Sequence, residues 1–307
     1  MNLRKSAAVA AIAVLALTAT ACGGKEGSAG DKPTGTKPGA SGAPELPKYT
    51  VATGVDLDSP TFKAAKKRGK LIIGAKADQP YLGFEDQSTK ERSGFDIEIA
   101  KMIAADLGFS ADQIEWKTVD SGIRETAISK GQVDYFVGTY TINDERKKQV
   151  GFAGPYYMAG ADLLVRQDEK SITGKDSVKG KKVCSIVGST PLQEIKKPEY
   201  GANVVELAKY SDCVQQLLTK QVDAVTTDDS ILKGYAAQNS GKLRVVGKPF
   251  TEEPYGVGLN KDDKVLRDAI DTSLENHVKD GSYQKIYEAT LGLSGSKYTA
   301  PPAVERY

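Results

Sequence analysis

The chain has 307 residues, with 42 Lys and Arg against 40 Asp and Glu, a formal net charge of +2 and 39% hydrophobic residues. That length suits one large domain or two ordinary ones with a sizeable core. The near balance of charge excludes a strong pull toward nucleic acid or anionic lipid, and one histidine with three cysteines is a poor donor set for zinc.

The first 22 residues read as an export signal. Arg4 and Lys5 make a positive start, 7–17 is an apolar run, and the small residues Ala19, Thr20 and Ala21 lead to Cys22. A cysteine placed there resembles a lipobox, whose thiol is acylated, although Ala19 stands where leucine is common. The competing reading is a plain secretory peptide. No other apolar run approaches the roughly 20 residues of a membrane helix. Residues 23–48 are Gly, Ser, Lys and Pro with almost no large apolar side chains. They cannot bury a core and are expected as a disordered tether.

A regular alternation follows. Residues 70–76 (KLIIGAK) read as a buried strand, and 81–86 as a loop with aromatic edges. Asp96 is expected to cap a helix whose Ile99, Met102, Ile103 and Leu107 share a face, with Gly108 at its end. A strand at 114–119 leads to Ser121, read as the cap of a helix over 122–130. The run 132–157 (QVDYFVGTYTINDERKKQVGFAGPYY) begins as a strand, with Val133, Tyr135 and Val137 alternating. Asn143 then makes an N-cap, with Asp144 and Glu145 in the first turn where acids suit the dipole. The order β-α-β-α-β implies a parallel sheet.

The same order recurs. Strands are expected at 182–187 and 204–207, with Thr190 as N-cap ahead of Pro191 and Gln193 reaching back, and Ser211 capping a helix to Lys220. Gln221-Val222-Asp223 echoes Gln132-Val133-Asp134, which argues for two similar lobes about 90 residues apart. A strand over 255–259 and a helix over 263–279 complete the order, and the tail, with Pro301-Pro302, is expected to be loose.

The chemistry gathers at strand ends. The helix after Asn143 leaves its first N–H groups unpaired. Thr139 and Thr141 add hydroxyls, and Arg146 adds a planar fork that fits a carboxylate. Together they make an anion pocket; the alternative is a capped surface helix with a solvated arginine. Gly188-Ser189-Thr190, between a strand and a helix, repeats the arrangement. Exported cysteines usually pair, so Cys184 and Cys213 are either a disulfide or two buried thiols.

TINDERKK followed by Gly-Pro-Tyr-Tyr resembles the signature of the polar amino-acid substrate-binding proteins of ABC transporters (bacterial solute-binding protein family 3). The likeness runs from about Leu71 to about Leu293 and is nearest the glutamate/aspartate/glutamine-binding lipoprotein branch. It implies an α/β, two-lobed periplasmic-binding-protein-like fold with two crossover hinge segments, near Gly160 and near 251–253. The expected division is signal 1–22, tether 23–48, lobe 1 from 56–159 and 251–293, lobe 2 from 160–250, and tail 294–307.

The resemblance also assigns roles. It implies that Arg146, with Thr139 and Thr141, grips a ligand α-carboxylate, and that Ser189 and Thr190 add donors. Asp228 takes the α-ammonium, with Asp229 as rival. A disulfide is implied, because a similar cysteine pair recurs in the glutamate-binding branch. Lys76 stands where many family members carry an acid, so it rejects cationic ligands by like charge. Arg124 lies in an Arg-Glu-Thr sequence similar to that branch, so Lys76 and Arg124 are expected to hold a γ-carboxylate; the alternative is two solvated bases. Tyr81 and Phe84 supply an apolar wall or ordinary loop packing.

The expected function is an extracytoplasmic lipoprotein, anchored through Cys22 to the outer face of the cell membrane. It captures glutamate, with aspartate next, by hinge closure and delivers it to the permease subunits of an ABC importer. No cofactor, metal or nucleic-acid partner is expected, and the chain is expected as a monomer. The alternatives are a glutamine or asparagine binder, or a sensor for a membrane signalling partner. An enzyme on this fold, a dehydratase or lyase, is disfavoured. A triad would need His277, read as a solvated surface residue, and Asp228 and Asp229 are expected to point apart.

Overall fold

The computed structural model describes residues 44–306. The export signal, Cys22 and most of the expected tether lie outside them.

The described chain opens on α1 (Pro60–Arg68). Ser59 Oγ accepts from Phe62 N at 3.0 Å, and Pro60 sits in the first turn, where its missing N–H is no loss. Strand β1 (Leu71–Ala75) leads into three short strands, β2 (Asp78–Gln79), β3 (Gly83–Glu85) and β4 (Arg92–Ser93). Then come α2 (Phe95–Asp106), β5 (Ile114–Thr118), α3 (Arg124–Ser129), β6 (Tyr135–Val137), α4 (Asp144–Lys147) and β7 (Gly151–Ala159).

The second half carries β8 (Ala161–Arg166), β9 (Lys182–Ile186), α5 (Thr190–Ile195), β10 (Asn203–Leu207), α6 (Tyr210–Leu218), β11 (Ala224–Asp228), α7 (Asp229–Gln238) and β12 (Leu243–Val245). The chain closes with β13 (Glu253–Leu259), α8 (Lys264–Lys279) and α9 (Ser282–Ala289).

Two five-stranded sheets result, ordered β5-β1-β6-β13-β7 and β10-β9-β11-β8-β12. Within each, the first three strands in the order are parallel, the fourth (β13 or β8) runs against them, and the fifth (β7 or β12) is antiparallel to the fourth and so points with the first three. Each sheet is the frame of one lobe. The chain passes between them twice, at Gly160 between β7 and β8, and between β12 and β13. Both are crossovers of the kind the resemblance implied.

The cores are aromatic and aliphatic. Phe95 is fully buried, with its ring 5.5–6.1 Å from those of Tyr156, Tyr157, Tyr283 and Tyr287. Each such side chain contributes roughly 1.5–3 kcal/mol by leaving water. Cys184 and Cys213 form a disulfide that ties β9 to α6.

Several local expectations shift. Gly94, not Asp96, precedes α2; Asp96 is fully buried in the first turn and turns to other partners. Ser121 opens a short 3-10 turn and caps nothing, so α3 begins only at Arg124. Ser189 replaces Thr190 as the cap of α5, because its Oγ accepts from Leu192 N at 3.2 Å. Helix α6 begins at Tyr210, one residue before the expected cap Ser211.

The tail is not loose. Tyr298 packs its ring 5.4 Å from Tyr287, Glu305 N donates to Gly154 O at 2.8 Å, and Arg306 pairs with Glu275 at 2.9 Å. His277 is half-buried, its Nε2 3.0 Å from Asp106 Oδ2 and its Nδ1 3.3 Å from Asp280. The helix end it shares with Asp280 folds back on α2, which is why it is not a solvated residue.

Candidate functional site

Helix α4 is four residues long and exists through its cap: Asn143 Oδ1 accepts from Arg146 N at 2.9 Å. That turn points Arg146 inward, where it is 7% exposed. Its Nη1 donates to Thr141 O at 2.6 Å and its Nη2 to Gly188 O, in the other lobe, at 3.0 Å. Burial, then the neighbouring Arg124, holds the guanidinium down to about 10, so it is charged at neutral pH. A solvated surface arginine does not describe it.

Arg124 is 2% exposed and Lys76 is 3% exposed, so neither is a solvated base. Arg124 Nη2 donates to the same Gly188 carbonyl at 3.0 Å. Its guanidinium lies 4.1 Å from the centre of the Tyr140 ring, and that of Arg146 lies 5.1 Å from it. Glu125 Oε1 stands 3.5 Å from Arg124 Nε and 3.4 Å from Arg146 Nε, and accepts from Tyr140 Oη at 2.9 Å. One half-buried carboxylate thus separates two like charges that would otherwise repel. Arg124 Nε is itself buried without a hydrogen bond. Lys76 Nζ donates to Ser121 Oγ at 2.8 Å and to Val119 O at 3.1 Å. Burial, then Arg124, pushes its ammonium down to about 7.

Thr139 has a left-handed backbone (φ 47°). Its N–H donates to Asp96 Oδ2 at 3.0 Å and its hydroxyl to Gln79 Oε1 at 3.2 Å. Asp96 also accepts from Tyr156 Oη at 2.8 Å, and burial pushes its carboxyl up to about 6. Thr141 Oγ1 lies 3.2 Å from Thr190 Oγ1, a contact between the lobes.

In the second lobe Ser189 is occupied by its own helix: its hydroxyl caps α5 and donates to Ile186 O at 2.9 Å. Thr190 Oγ1 donates to Glu253 Oε2 at 2.6 Å. Asp228, 3% exposed, ends β11 and accepts from Tyr255 Oη at 2.6 Å through Oδ2; its Oδ1 is buried with no hydrogen-bond partner. Burial, then the charge of Glu253, raises its carboxyl well above the usual range. Its neighbour Asp229 turns to Gly160 N at 3.3 Å and to Lys233 at 2.5 Å, so the two carboxylates do point apart.

The structure therefore brings Arg124, Arg146, Thr141 and Thr190 together around Gly188, with Lys76 joined to Arg124 through Ser121 and Asp228 held by Tyr255, two residues along β13 from Glu253. Tyr81 stands apart from them: with Phe84, Pro80, Leu46 and Leu293 it lines a separate groove of about 330 Å³. Glu253, Tyr255, Glu125 and Tyr140 are the residues sequence reasoning missed. Glu125 had a signal, being beside Arg124 in Arg-Glu-Thr; Glu253 had only its place at the second crossover.

Residues 71–292 match the family model of the bacterial extracellular solute-binding proteins, family 3. The glutamate-binding protein GluB of Corynebacterium efficiens is 38% identical over 302 residues, covering 95% of this chain and 92% of that protein. The ABC transporter glutamine-binding protein GlnH of Bacillus subtilis is 38% identical over 228 residues, covering 74% and 83%. Among solved structures, an ancestral arginine-binding protein bound to glutamine superimposes with a TM-score of 0.68 at 38% identity, covering 73% of this chain and 99% of that one.

Proposed function

The chain belongs to the family 3 bacterial extracellular solute-binding proteins, and from that premise we propose that it captures an acidic L-amino acid, glutamate first, for an ABC importer. The observation that carries this reading is the gathering of three buried cations in one lobe, Arg124 and Arg146 against a carbonyl of the other lobe and Lys76 beside them on Ser121. One cation suffices for the α-carboxylate every amino acid carries. The surplus favours a second carboxylate on the ligand side chain, and it opposes lysine or arginine by like charge. Arg146, Thr141 and Thr190 are the α-carboxylate group in this reading, with Thr139 and Ser189 holding the turns beneath them. Asp228 is the α-ammonium acceptor. Lys76 and Arg124 read the γ-carboxylate, and Tyr81, in its separate groove, has no part in this reading.

Contacts between the lobes explain how closure follows capture. Arg124 and Arg146 reach Gly188, Thr141 meets Thr190, and Ser211 N donates to Asp78 Oδ2 at 3.2 Å. A ligand shifts such a balance only by the contacts it adds across both lobes. The reading includes release of the amino acid unchanged, export with acylation at Cys22, and presentation to a permease; glutamate relatives support the ligand class. An amide ligand is the second reading. It draws on Lys76, which burial brings close to neutrality, and on the glutamine-binding relatives.

The test is calorimetric titration of the protein lacking signal and tether with L-glutamate, L-aspartate, L-glutamine, L-asparagine and L-arginine. Glutamate is expected to bind most tightly. Lys76→Ala and Arg124→Ala are each expected to weaken glutamate by about tenfold more than glutamine, the scale of one partly desolvated charge pair. Equal losses for both ligands would discard the two cations as side-chain readers. Preference for an amide keeps the family and removes the acidic ligand.

A further inference from the structure

Glu253 has no role in the reading above, yet it is a buried carboxylate at the second crossover. It begins β13 and is 3% exposed. Its Oε2 accepts from Thr190 Oγ1 at 2.6 Å and its Oε1 from Thr251 Oγ1 at 2.8 Å. Both partners are neutral hydroxyls; the charge of Arg146 reaches Glu253 through space, but no cation bonds to it among the described residues. Two residues on, Tyr255 Oη reaches Asp228 Oδ2 at 2.6 Å and lies 3.0 Å from Ser230 Oγ. The strand thus sets one carboxylate of its own beside one from the second lobe.

A buried carboxylate with no cation in direct contact is unfavourable, and two that feel each other are more so. The arrangement has a second mark. Asp228 Oδ1 is fully enclosed and lacks any hydrogen-bond partner, so its remaining lone pairs point at unfilled chemistry. A single primary ammonium, with three donors on one compact charge, would satisfy that oxygen and answer both carboxylates. A guanidinium or a metal ion fits less well. The hydroxyls of Thr190, Thr251 and Tyr255 already take part of the acceptor capacity, which leaves only a few lone pairs.

We propose that Glu253 and Asp228 together cradle the α-ammonium of the ligand, with Glu253 as its second acceptor. This rests on the amino-acid reading above and deepens it, because it places the ammonium between a lobe and a hinge strand and not on one lobe alone. Capture of the ammonium then draws Asp228 toward β13, so that the group common to all α-amino acids is coupled to closure. Burial and the charge of Glu253 raise the Asp228 carboxyl, and an arriving ammonium would lower it again.

The test compares an amino acid with its desamino counterpart, glutamate with glutarate, on the wild type, Glu253→Gln and Thr190→Val. The wild type is expected to prefer glutamate. Glu253→Gln keeps the size and acceptor oxygen of the side chain, and it is expected to lose about thirtyfold on glutamate with little change on glutarate. Thr190→Val removes the hydroxyl bridge and is expected to weaken both ligands alike. Equal losses for both ligands in Glu253→Gln would make Glu253 a closing contact only and overturn the proposal, as would no loss at all. A wild type that binds glutarate as tightly as glutamate also overturns it. If the wild type prefers glutamine, the acidic-ligand reading fails separately, and glutamine against glutaramic acid tests the cradle in the same way.

Discussion

The two lobes are built on one frame and differ where the frame ends. In the first, Asp134 N donates to Ile72 O at 2.7 Å while its carboxylate takes Ile72 N at 2.6 Å. In the second, Asp223 N donates to Lys182 O and its carboxylate takes Lys182 N, both at 2.8 Å. The repeated Gln-Val-Asp is thus a pin that fastens the third strand to the start of the first. Five residues beyond each aspartate the lobes part: Thr139 stands in one, Asp228 in the other. Four residues along the pinned strand, Lys76 stands opposite the apolar Ile186. Duplicated scaffolding with divergent strand ends yields a cationic lobe facing an acidic one, which suits a ligand that carries both charges.

The disulfide is the largest asymmetry in stability, since among the described residues only the second lobe holds one. The bridge closes a loop of sequence separation 29 and is worth about 3–4 kcal/mol by chain entropy. The double variant Cys184→Ser/Cys213→Ser is expected to lose about that much in denaturant unfolding. Amide exchange should speed up in β9 and β11 while β1 and β6 keep their protection. Equal loss of protection in both sheets would mean the lobes unfold as one unit, and the comparison would not extend to stability.

Next in size is an effect on closure itself. Gly234 in α7 faces Pro80 of the first lobe so closely that an added Cβ would lie 2.4 Å from Pro80 O. Both are backbone-anchored, so the lobes must separate to make room. Gly234→Ala is expected to weaken ligand binding by about 10- to 100-fold, the 1–3 kcal/mol of an overpacked contact. Thermal stability without ligand should not fall, because alanine favours the helix by about 1 kcal/mol over glycine. Unchanged affinity would show that capture needs no such approach of the lobes.

How much of this was legible follows the range of the interactions. Asn143 and Arg146 lie within one turn, so cap and charge could be read together. The strand order and the repeat were legible because alternation and helical period are local. The first-turn hydroxyls were less so: Ser189 and Thr190 are chemically interchangeable caps, and only the path of the chain chose Ser189. Gly188 was read as a donor turn, yet its carbonyl is what meets Arg124 and Arg146. Glu253 and Thr190 are 63 residues apart in sequence. No period or motif links them; crossover geometry does. The tail looks loose by composition, and it is held by Tyr298 packing edge-to-face against rings contributed by α9.

The smallest expected effect, a pH dependence, sharpens the contrast between Lys76 and Ile186. Burial and Arg124 bring the Lys76 ammonium down to about 7. Below that pH it is charged before ligand arrives. Above it, a ligand carboxylate must draw in a proton to gain the same ion pair, so affinity falls by up to tenfold for each further pH unit. Glutamate binding is therefore expected to weaken by about fivefold from pH 7 to 8, whereas glutamine binding stays nearly flat. Lys76→Gln should flatten the glutamate profile without abolishing binding, because Arg124 remains. Calorimetry in buffers of differing ionisation enthalpy would register the proton taken up. A flat profile for wild-type glutamate binding would leave Arg124 as the sole reader of the side chain and reduce Lys76 to a buried support for Ser121 and the loop that carries it.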